Sequence, residues 1–462
     1  MTRNTPVEGI DPVAEVEMPN LPGRARAIHP GLVMRVRGRF VRLRGLRRQP
    51  AGVLRWLAVL GPGLVAGAVS NDAGSIATYS QAGAKFGYDM LWIIVLITVS
   101  LAVVQEMSAR LGAATGRGLL DLIRERFGIG WALLAVLVVM VANFGLVLGE
   151  FVGIGAGMEL FGVSKYLAVP VAAGLVWYLV TGGNYNRVER IFMLMAATFL
   201  TYPVAALLSH PHLPDIARGA FVPTVRLDPA YMALLVGLIG TTISPYQQVF
   251  QQSAVVERGS ARHHYGPERW DTYAGMVFSG LVSVFIIIAT AATLHLSGKT
   301  DLNSAADAAK ALQPVAGNAA GFLFGTGLVG ASLMAAAILP ISTAFSVAEA
   351  FGLPKGIGLS LRRAPVFFGL FTLLLVLGAG LSLIPGIPVF QFLVWVQMLN
   401  GVLLPVILVF MLLLINDRRL MGELINTRLY NVLGWATCVL IVVSVAFVLL
   451  QQTLGLMGVR FP

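Results

Sequence analysis

The stretch SNDAGS, residues 70–75, interrupts a segment that is mostly apolar before it and amphipathic after it, toward Phe86. The interior of a bilayer offers no water to polar groups, so an ionised carboxylate at that depth is costly and usually marks a functional site. The interruption therefore predicts a helix that breaks in mid-membrane, with Asp72 at the break.

A second stretch, GTTISPYQQ at residues 240–248, interrupts a later apolar segment in the same way. Pro245 removes a backbone donor and disrupts the preceding helix. Unwound carbonyls at such a break can bind a cation, and the helix ends add oriented dipoles. A proline kink with packing glycines would explain this segment alone, but the pair of matched interruptions favours a substrate site formed by both.

The composition places most of the chain in a membrane. Hydrophobic residues make up 57% of the 462 residues, charged residues 12%, and the mean hydropathy is +0.79. A spanning helix needs about 20 mostly apolar residues. Segments of that kind predict eleven spans, at about 53–82, 89–111, 131–155, 165–181, 190–208, 231–256, 272–295, 318–347, 365–384, 388–414 and 433–452.

The two interruptions lie in spans 1 and 6, an offset of five spans, which is the period of two inverted five-helix repeats that meet at a central site. We therefore predict an all-α integral membrane protein with broken helices 1 and 6. The predicted regions are a basic tail at 1–50, repeats at 51–208 and 209–415, and a last loop and helix at 416–462.

The positive charges predict an orientation, because cytoplasmic loops carry the excess of lysine and arginine. With a cytoplasmic N-terminus, all but seven of the 33 basic residues lie in the tail and the even-numbered loops. This predicts a multi-pass inner-membrane protein with its C-terminus outside. The seven exceptions are Lys85, Lys165, Arg218, Arg226, Lys299, Lys310 and Arg460.

The net charge of +11 is then explained by topology and by contact with anionic lipid, and it does not indicate a nucleic-acid partner. Nine arginines between Arg24 and Arg48 alternate with apolar residues. We expect them to form a basic amphipathic helix on the inner leaflet. The single cysteine, Cys438, lies in the last span, so we expect no intramolecular disulfide and no thiolate metal site. We also expect no resident cofactor.

The stretch DAGSIATYSQAGAKFGYDMLW at 72–92 resembles the first helix of the Nramp (natural resistance-associated macrophage protein) family of divalent-metal transporters, where Asp-Pro-Gly-Asn precedes Ile-Ala-Thr and Gln-Ala-Gly-Ala. Further similarity lies in SARLGAATGRGL at 108–119, NRVERIF at 186–192, Arg362-Arg363, and Gln397 with Pro405. The resemblance implies a leucine-transporter-like fold that carries a metal ion by alternating access, and we expect a monomer.

The resemblance also implies a set of metal ligands. Asp72 would supply the anionic oxygen, Ser75 takes the place of a ligating asparagine, and Ser244 takes the place of a methionine. The carbonyls of Val69 and Thr241 match backbone ligands of the family. Gln397 matches a position from which the family adds a further polar group to the metal site.

The departures from the family pattern change the expected substrate. A thioether favours soft or borderline metals, whereas hydroxyl, carbonyl and carboxylate oxygens suit magnesium, calcium and manganese. With serine at position 244 that soft ligand is replaced by a hard one. The pattern resembles the Nramp-related magnesium transporters, so we expect Mg²⁺ as substrate, with Mn²⁺ carried as well.

Proton coupling is not expected. Tyr246 and Gln251 stand where proton-moving members have histidines, and Val147 stands where they have an aspartate. None of these side chains titrates near neutral pH. Glu150 matches a glutamate that the family has close to that aspartate. Two roles remain open for Glu150, that of a coupling residue and that of a structural acid. For Glu106 we expect an i,i+4 ion pair with Arg110.

The sequence alone leaves three other functions open. The first is a proton-coupled Mn²⁺ or Fe²⁺ transporter, and the second is a cation-coupled symporter for an organic solute on the same architecture. The third is a receptor or scaffold that no longer transports. An enzyme is not expected, because the sequence holds no HExxH, no GxSxG and no paired catalytic carboxylates.

Overall fold

The computed structural model describes residues 33–36, 39–42, 70–182, 201–257 and 265–456. The chain divides into two compact units, Met1–Ala58 and Val59–Pro462.

The described part of the first unit is a β-hairpin. β1 (Val33–Val36) pairs antiparallel with β2 (Arg39–Arg42), with Val36 opposite Arg39. Over these residues the expected amphipathic helix is wrong. Valines in both strands favour extended backbone, and a connection of two residues suits a hairpin. The rest of the arginine-rich tail lies outside the described residues.

The described part of the second unit consists of helices and the turns and loops that connect them. Between residues 70 and 208 it contains α1 (Ala73–Phe86), α2 (Leu91–Thr115), α3 (Leu119–Phe127), α4 (Ile129–Glu159), α5 (Lys165–Thr181) and α6 (Thr201–Leu208). The following helices are α7 (Leu213–Phe221), α8 (Pro229–Thr242), α9 (Pro245–Glu257) and α10 (Tyr265–Thr290), which a π-helical turn extends to His295.

Short helices α11 (Ala305–Ala309) and α12 (Gln313–Ala316) lead into α13 (Ala320–Phe351), with 3-10 turns at 310–312 and 317–319. The chain then forms α14 (Pro365–Ser382), α15 (Val389–Ile415), α16 (Arg418–Met421), a 3-10 turn at 422–424 and α17 (Arg428–Leu456).

Among the described residues, seven helices are long and apolar enough to cross a membrane: α2, α4, α13, α14, α15, α17 and the helix over 269–295. α5 is apolar but has 17 residues. Parts of spans 1 and 5 lie outside the described residues, so the count of eleven spans stays a prediction.

The helix break predicted in the sixth span is confirmed. α8 ends at Thr242 and α9 starts at Pro245, where proline is tolerated because the first N–H of a helix has no intrahelical partner. In the first span, helix begins at Ala73 after the non-helical residues 70–72. The half of this span before residue 70 lies outside the described residues.

α1 lies at the centre of the bundle, in contact with α4, α8, α10 and α15. Glycines allow these close approaches. A Cβ added to Gly153 of α4 would lie 2.5 Å from the Cβ of Ala73, and one added to Gly240 of α8 would lie 2.3 Å from the backbone nitrogen of Gly401. Small residues at helix interfaces let backbones pack closely inside a membrane, where van der Waals contact drives association. The non-helical residues 70–72 and 243–244, the first and the second break, are thereby held next to α4 and α15.

Candidate metal site

The first turn of α1 is capped by Asp72. Its Oδ1 accepts hydrogen bonds from the Ser75 backbone N–H at 2.7 Å and from the Ser75 hydroxyl at 2.6 Å. Aspartate is a favoured N-cap because it pairs one of the donors left free at the start of a helix. Asp72 is 3% exposed, so the fold has placed a carboxylate inside the bundle at the helix end.

Ser75 connects the first break to the second. Its Oγ lies 2.5 Å from Thr241 Oγ1 in the last full turn of α8 and 2.9 Å from the Ser70 carbonyl oxygen. The family resemblance implies that the carbonyl of Thr241 binds the metal. In the structure, the hydroxyl of Thr241 forms a hydrogen bond with the hydroxyl of Ser75. Carboxylate and hydroxyl oxygens from both breaks therefore lie in one cluster.

Gln397 of α15 reaches the same cluster. Its Nε2 donates to Asp72 Oδ1 at 3.3 Å. Gly74 leaves the space for this approach, because a Cβ there would lie 2.1 Å from that nitrogen. Asn400, one turn further on, donates to Gln397 Oε1 at 3.4 Å. Sequence reasoning missed Asn400, although its three-residue spacing from Gln397 on an apolar span was a usable signal.

Ser244 ends the first half of the broken sixth span. Its Oγ donates to the Gly240 carbonyl at 2.7 Å, and its backbone N–H donates to Gln247 Oε1 at 3.4 Å. Gln247 Nε2 in turn donates to Ser70 Oγ at 3.2 Å. Sequence reasoning did not single out Gln247, whose carboxamide links the two breaks to each other.

Glu150 of α4 is 1% exposed and lies at the start of α1. Its Oε2 accepts the backbone N–H of Ala73, the neighbour of Asp72, at 3.3 Å. Two buried carboxylates thus face the N-terminus of a single helix, where the helix dipole favours negative charge.

The remaining predicted site residues lie around this cluster. The Tyr246 carbonyl accepts from Ser342 at 3.4 Å, and within the described part of the chain its buried hydroxyl has no hydrogen-bond partner. Gln251 donates to Thr272 of α10 at 3.3 Å. Val69 lies outside the described residues. The structure therefore brings together Asp72, Ser75, Thr241, Gln397 and Glu150.

The ion pair expected within α2 is confirmed, with Arg110 Nη2 and a Glu106 oxygen 3.1 Å apart. Arg110 also donates to Asn426, and Tyr265 donates to Glu106. The pair therefore connects α2 to the segment before α17 and to Tyr265 of α10.

A cavity of about 350 Å³ lies at the other end of α1, lined in part by Gln81, Lys85 and Met398. The chain between α10 and α11 closes one side of it. Gln81 donates to the Thr300 carbonyl at 2.9 Å and accepts the Leu302 N–H at 3.0 Å, while Lys85 pairs with Asp301 at 3.0 Å.

Solved membrane transporters share this architecture. The manganese transporter of Eremococcus coleocola, in complex with an aromatic bis-isothiourea substituted compound, matches with a TM-score of 0.67 and 20% identity over 89% of this chain and 91% of that one. MhsT in complex with L-phenylalanine matches with a TM-score of 0.54 and 16% identity, over 87% of this chain and 99% of that one. The inward-facing conformation of Mhp1 matches at 0.51 and 14%, over 86% and 91%.

At these identities the matches show the fold, which is the leucine-transporter-like fold that the sequence predicts. The family model described as natural resistance-associated macrophage protein-like (Nramp) matches residues 63–451. The chain therefore belongs to the Nramp family of divalent-metal transporters, and the resemblance seen in the sequence is confirmed at that level.

Proposed function

We propose that this metal transporter carries Mg²⁺, with Mn²⁺ as a second substrate, by alternating access and without proton coupling. The observation that supports it best is the set of hard donors around Asp72. The Asp72 carboxylate lies with the hydroxyls of Ser75 and Thr241, and the carboxamide of Gln397 reaches the same carboxylate. Hard cations prefer such ligands.

Magnesium dehydrates reluctantly and is usually bound through one or two carboxylates while keeping several waters. Asp72 supplies one carboxylate, and the small side chains of Ser75 and Ser244 leave room for retained water. The carbonyls of Val69 and Thr241 and the hydroxyl of Ser244 complete the proposed ligand set.

The electrical potential can drive this transport. An inside-negative membrane attracts each elementary charge by about 2.3 kcal/mol per 100 mV, so a divalent cation moves inward without a coupled proton. Tyr246 and Gln251, at the places where proton-moving relatives have histidines, do not titrate near neutral pH. We place the protein in the inner membrane as a monomer, with its N-terminus in the cytoplasm and its C-terminus outside.

The test uses purified protein in liposomes. One set encloses a magnesium-sensitive dye and a second set encloses a pH-sensitive dye, and external Mg²⁺ is added under an inside-negative potential. The proposal requires a magnesium signal that grows with the potential while internal pH stays constant. Entry of Mn²⁺ or Fe²⁺ without Mg²⁺ would overturn the assigned substrate, and acidification during metal entry would overturn the uncoupled mechanism.

The runner-up is a proton-coupled manganese transporter. The observation in its favour is the shared fold with the manganese transporter of Eremococcus coleocola. The same two sets of liposomes distinguish this function from magnesium transport, because a proton-coupled manganese transporter predicts Mn²⁺ entry with internal acidification.

A further inference from the structure

The backbone N–H of Ala73 is the donor at the first helical position of α1, and Glu150 Oε2 accepts it at 3.3 Å. The donor at the third position, Ser75 N–H, is taken by Asp72 at 2.7 Å. Two carboxylates from different helices thus share the free donors of one helical turn.

Packing keeps Glu150 in this position. Gly153 lies one turn further along α4, on the same face as Glu150. A Cβ on Gly153 would lie 2.5 Å from Ala73 Cβ and 2.9 Å from Ser332 Oγ of α13. The backbone of α4 therefore packs closely against the start of α1, which keeps Glu150 within reach of the Ala73 N–H.

The residue type at position 73 decides whether the bond to Glu150 can form, because proline has no N–H and could not donate it. Proline at the first helical position is otherwise well tolerated, since that N–H has no partner within the helix. The Ala73–Glu150 bond can therefore be removed without breaking α1.

We propose that Glu150 is a positioning residue of the metal site: by accepting the Ala73 N–H it holds the first turn of α1, and with it Asp72, in register against α4. Glu150 acts through Ala73 and is not assigned as a ligand. The inference rests on metal transport through the Asp72 site and holds whichever divalent metal is carried.

The test measures the apparent KM and the maximal rate of uptake in liposomes, with Mg²⁺ alone and with Mn²⁺ alone. Ala73→Pro and Glu150→Ala should each raise KM at least about tenfold, because hydrogen bonds to charged groups are among the stronger ones. Glu150→Gln, which keeps an acceptor oxygen, should raise KM only about threefold. The matched control is Glu159→Gln, an exposed glutamate on the same helix.

The double variant Ala73→Pro/Glu150→Ala separates positioning from a general loss of stability. If both changes remove one bond, the double variant should have the KM of the worse single variant, whereas independent effects would multiply. Multiplied effects, or Ala73→Pro with the unaltered KM, would overturn the inference. Uptake of Mn²⁺ alone would overturn the magnesium assignment, while the same KM pattern measured with Mn²⁺ would still support the role of Glu150.

Discussion

Gln397 and Asp72 are 325 residues apart in the chain, yet Gln397 Nε2 donates to Asp72 Oδ1 at 3.3 Å. The bond joins α15 to the first turn of α1. It depends on Gly74, which lies between the two side chains.

This relationship predicts the effect of Gly74→Ala. The added Cβ would lie 2.1 Å from Gln397 Nε2, the far end of a side chain, so Gln397 must turn away while the helices stay packed. We expect the apparent KM for metal to rise about tenfold, as for the loss of one charge-assisted hydrogen bond. The control is Gly380→Ala on α14, where a Cβ meets nothing within 4 Å. An unaltered KM would show that this bond does not contribute to metal binding.

Asp72→Asn should nearly abolish uptake without unfolding the protein. Asparagine is as good an N-cap as aspartate, so the cap to Ser75 is kept while the charge is lost. Removing one partner of a buried charge pair costs about 2–5 kcal/mol, so uptake should fall at least about thirtyfold. Asp215→Asn, on the exposed face of α7, is the control. Dye-based uptake and a thermal melt check the result, and retained uptake would place the ion elsewhere.

Ser244→Met should change metal preference. The introduced thioether favours soft ions, so Cd²⁺ affinity should increase about tenfold relative to Mg²⁺. Ser244→Leu is the matched control, because leucine adds similar bulk without sulfur. Competition between the two ions for uptake measures the ratio. If methionine and leucine shift this ratio equally, the change reflects side-chain size, and position 244 is not a ligand.

Gly118→Ala should destabilise the fold at a distance from the metal site. Glu349 is 1% exposed, accepts from Ser253 at 2.7 Å and pairs with Lys355 at 3.3 Å. An added Cβ at Gly118 would lie 2.0 Å from its carboxylate. Displacing that carboxylate from its donors should lower the free energy of unfolding by about 1–3 kcal/mol.

A thermal melt in detergent compares Gly118→Ala with Gly130→Ala, whose Cβ meets nothing within 4 Å. A midpoint for Gly118→Ala no lower than that of the control would mean that Glu349 accommodates the methyl group without losing its partners.

Gln81→Ala should open the cavity at the far end of α1. Gln81 holds the backbone at both Thr300 and Leu302. Loss of these bonds should free that segment and speed modification of a cysteine introduced at Ala233, which lines the cavity, in a Cys438→Ser background. We expect the rate to rise about fivefold, as for two neutral hydrogen bonds of modest net strength. Gln313→Ala, exposed on α12, is the control, and equal rates would exclude a closing role for Gln81.

The sequence by itself determined four features: the membrane environment, the helix break in the sixth span, the position of Asp72 at a helix end, and membership of the Nramp family. Each of them depends on local hydropathy, on proline chemistry or on contiguous motifs. The ion pair within α2 was equally local, since i,i+4 residues lie on one helix face. The hairpin at 33–42 was missed because regularly interleaved apolar residues fit both an amphipathic helix and a strand.

Only the tertiary structure decided which polar groups meet. Gln247 donates to Ser70, Gln397 donates to Asp72, and Glu150 accepts from Ala73, although the two members of each pair are far apart in sequence. Such contacts depend on how closely helices approach, and that approach is set by glycines such as Gly74 and Gly153 once neighbouring backbones pack against them. Periodicity shows which face of a helix is polar, but it carries no information about which partner that face will meet.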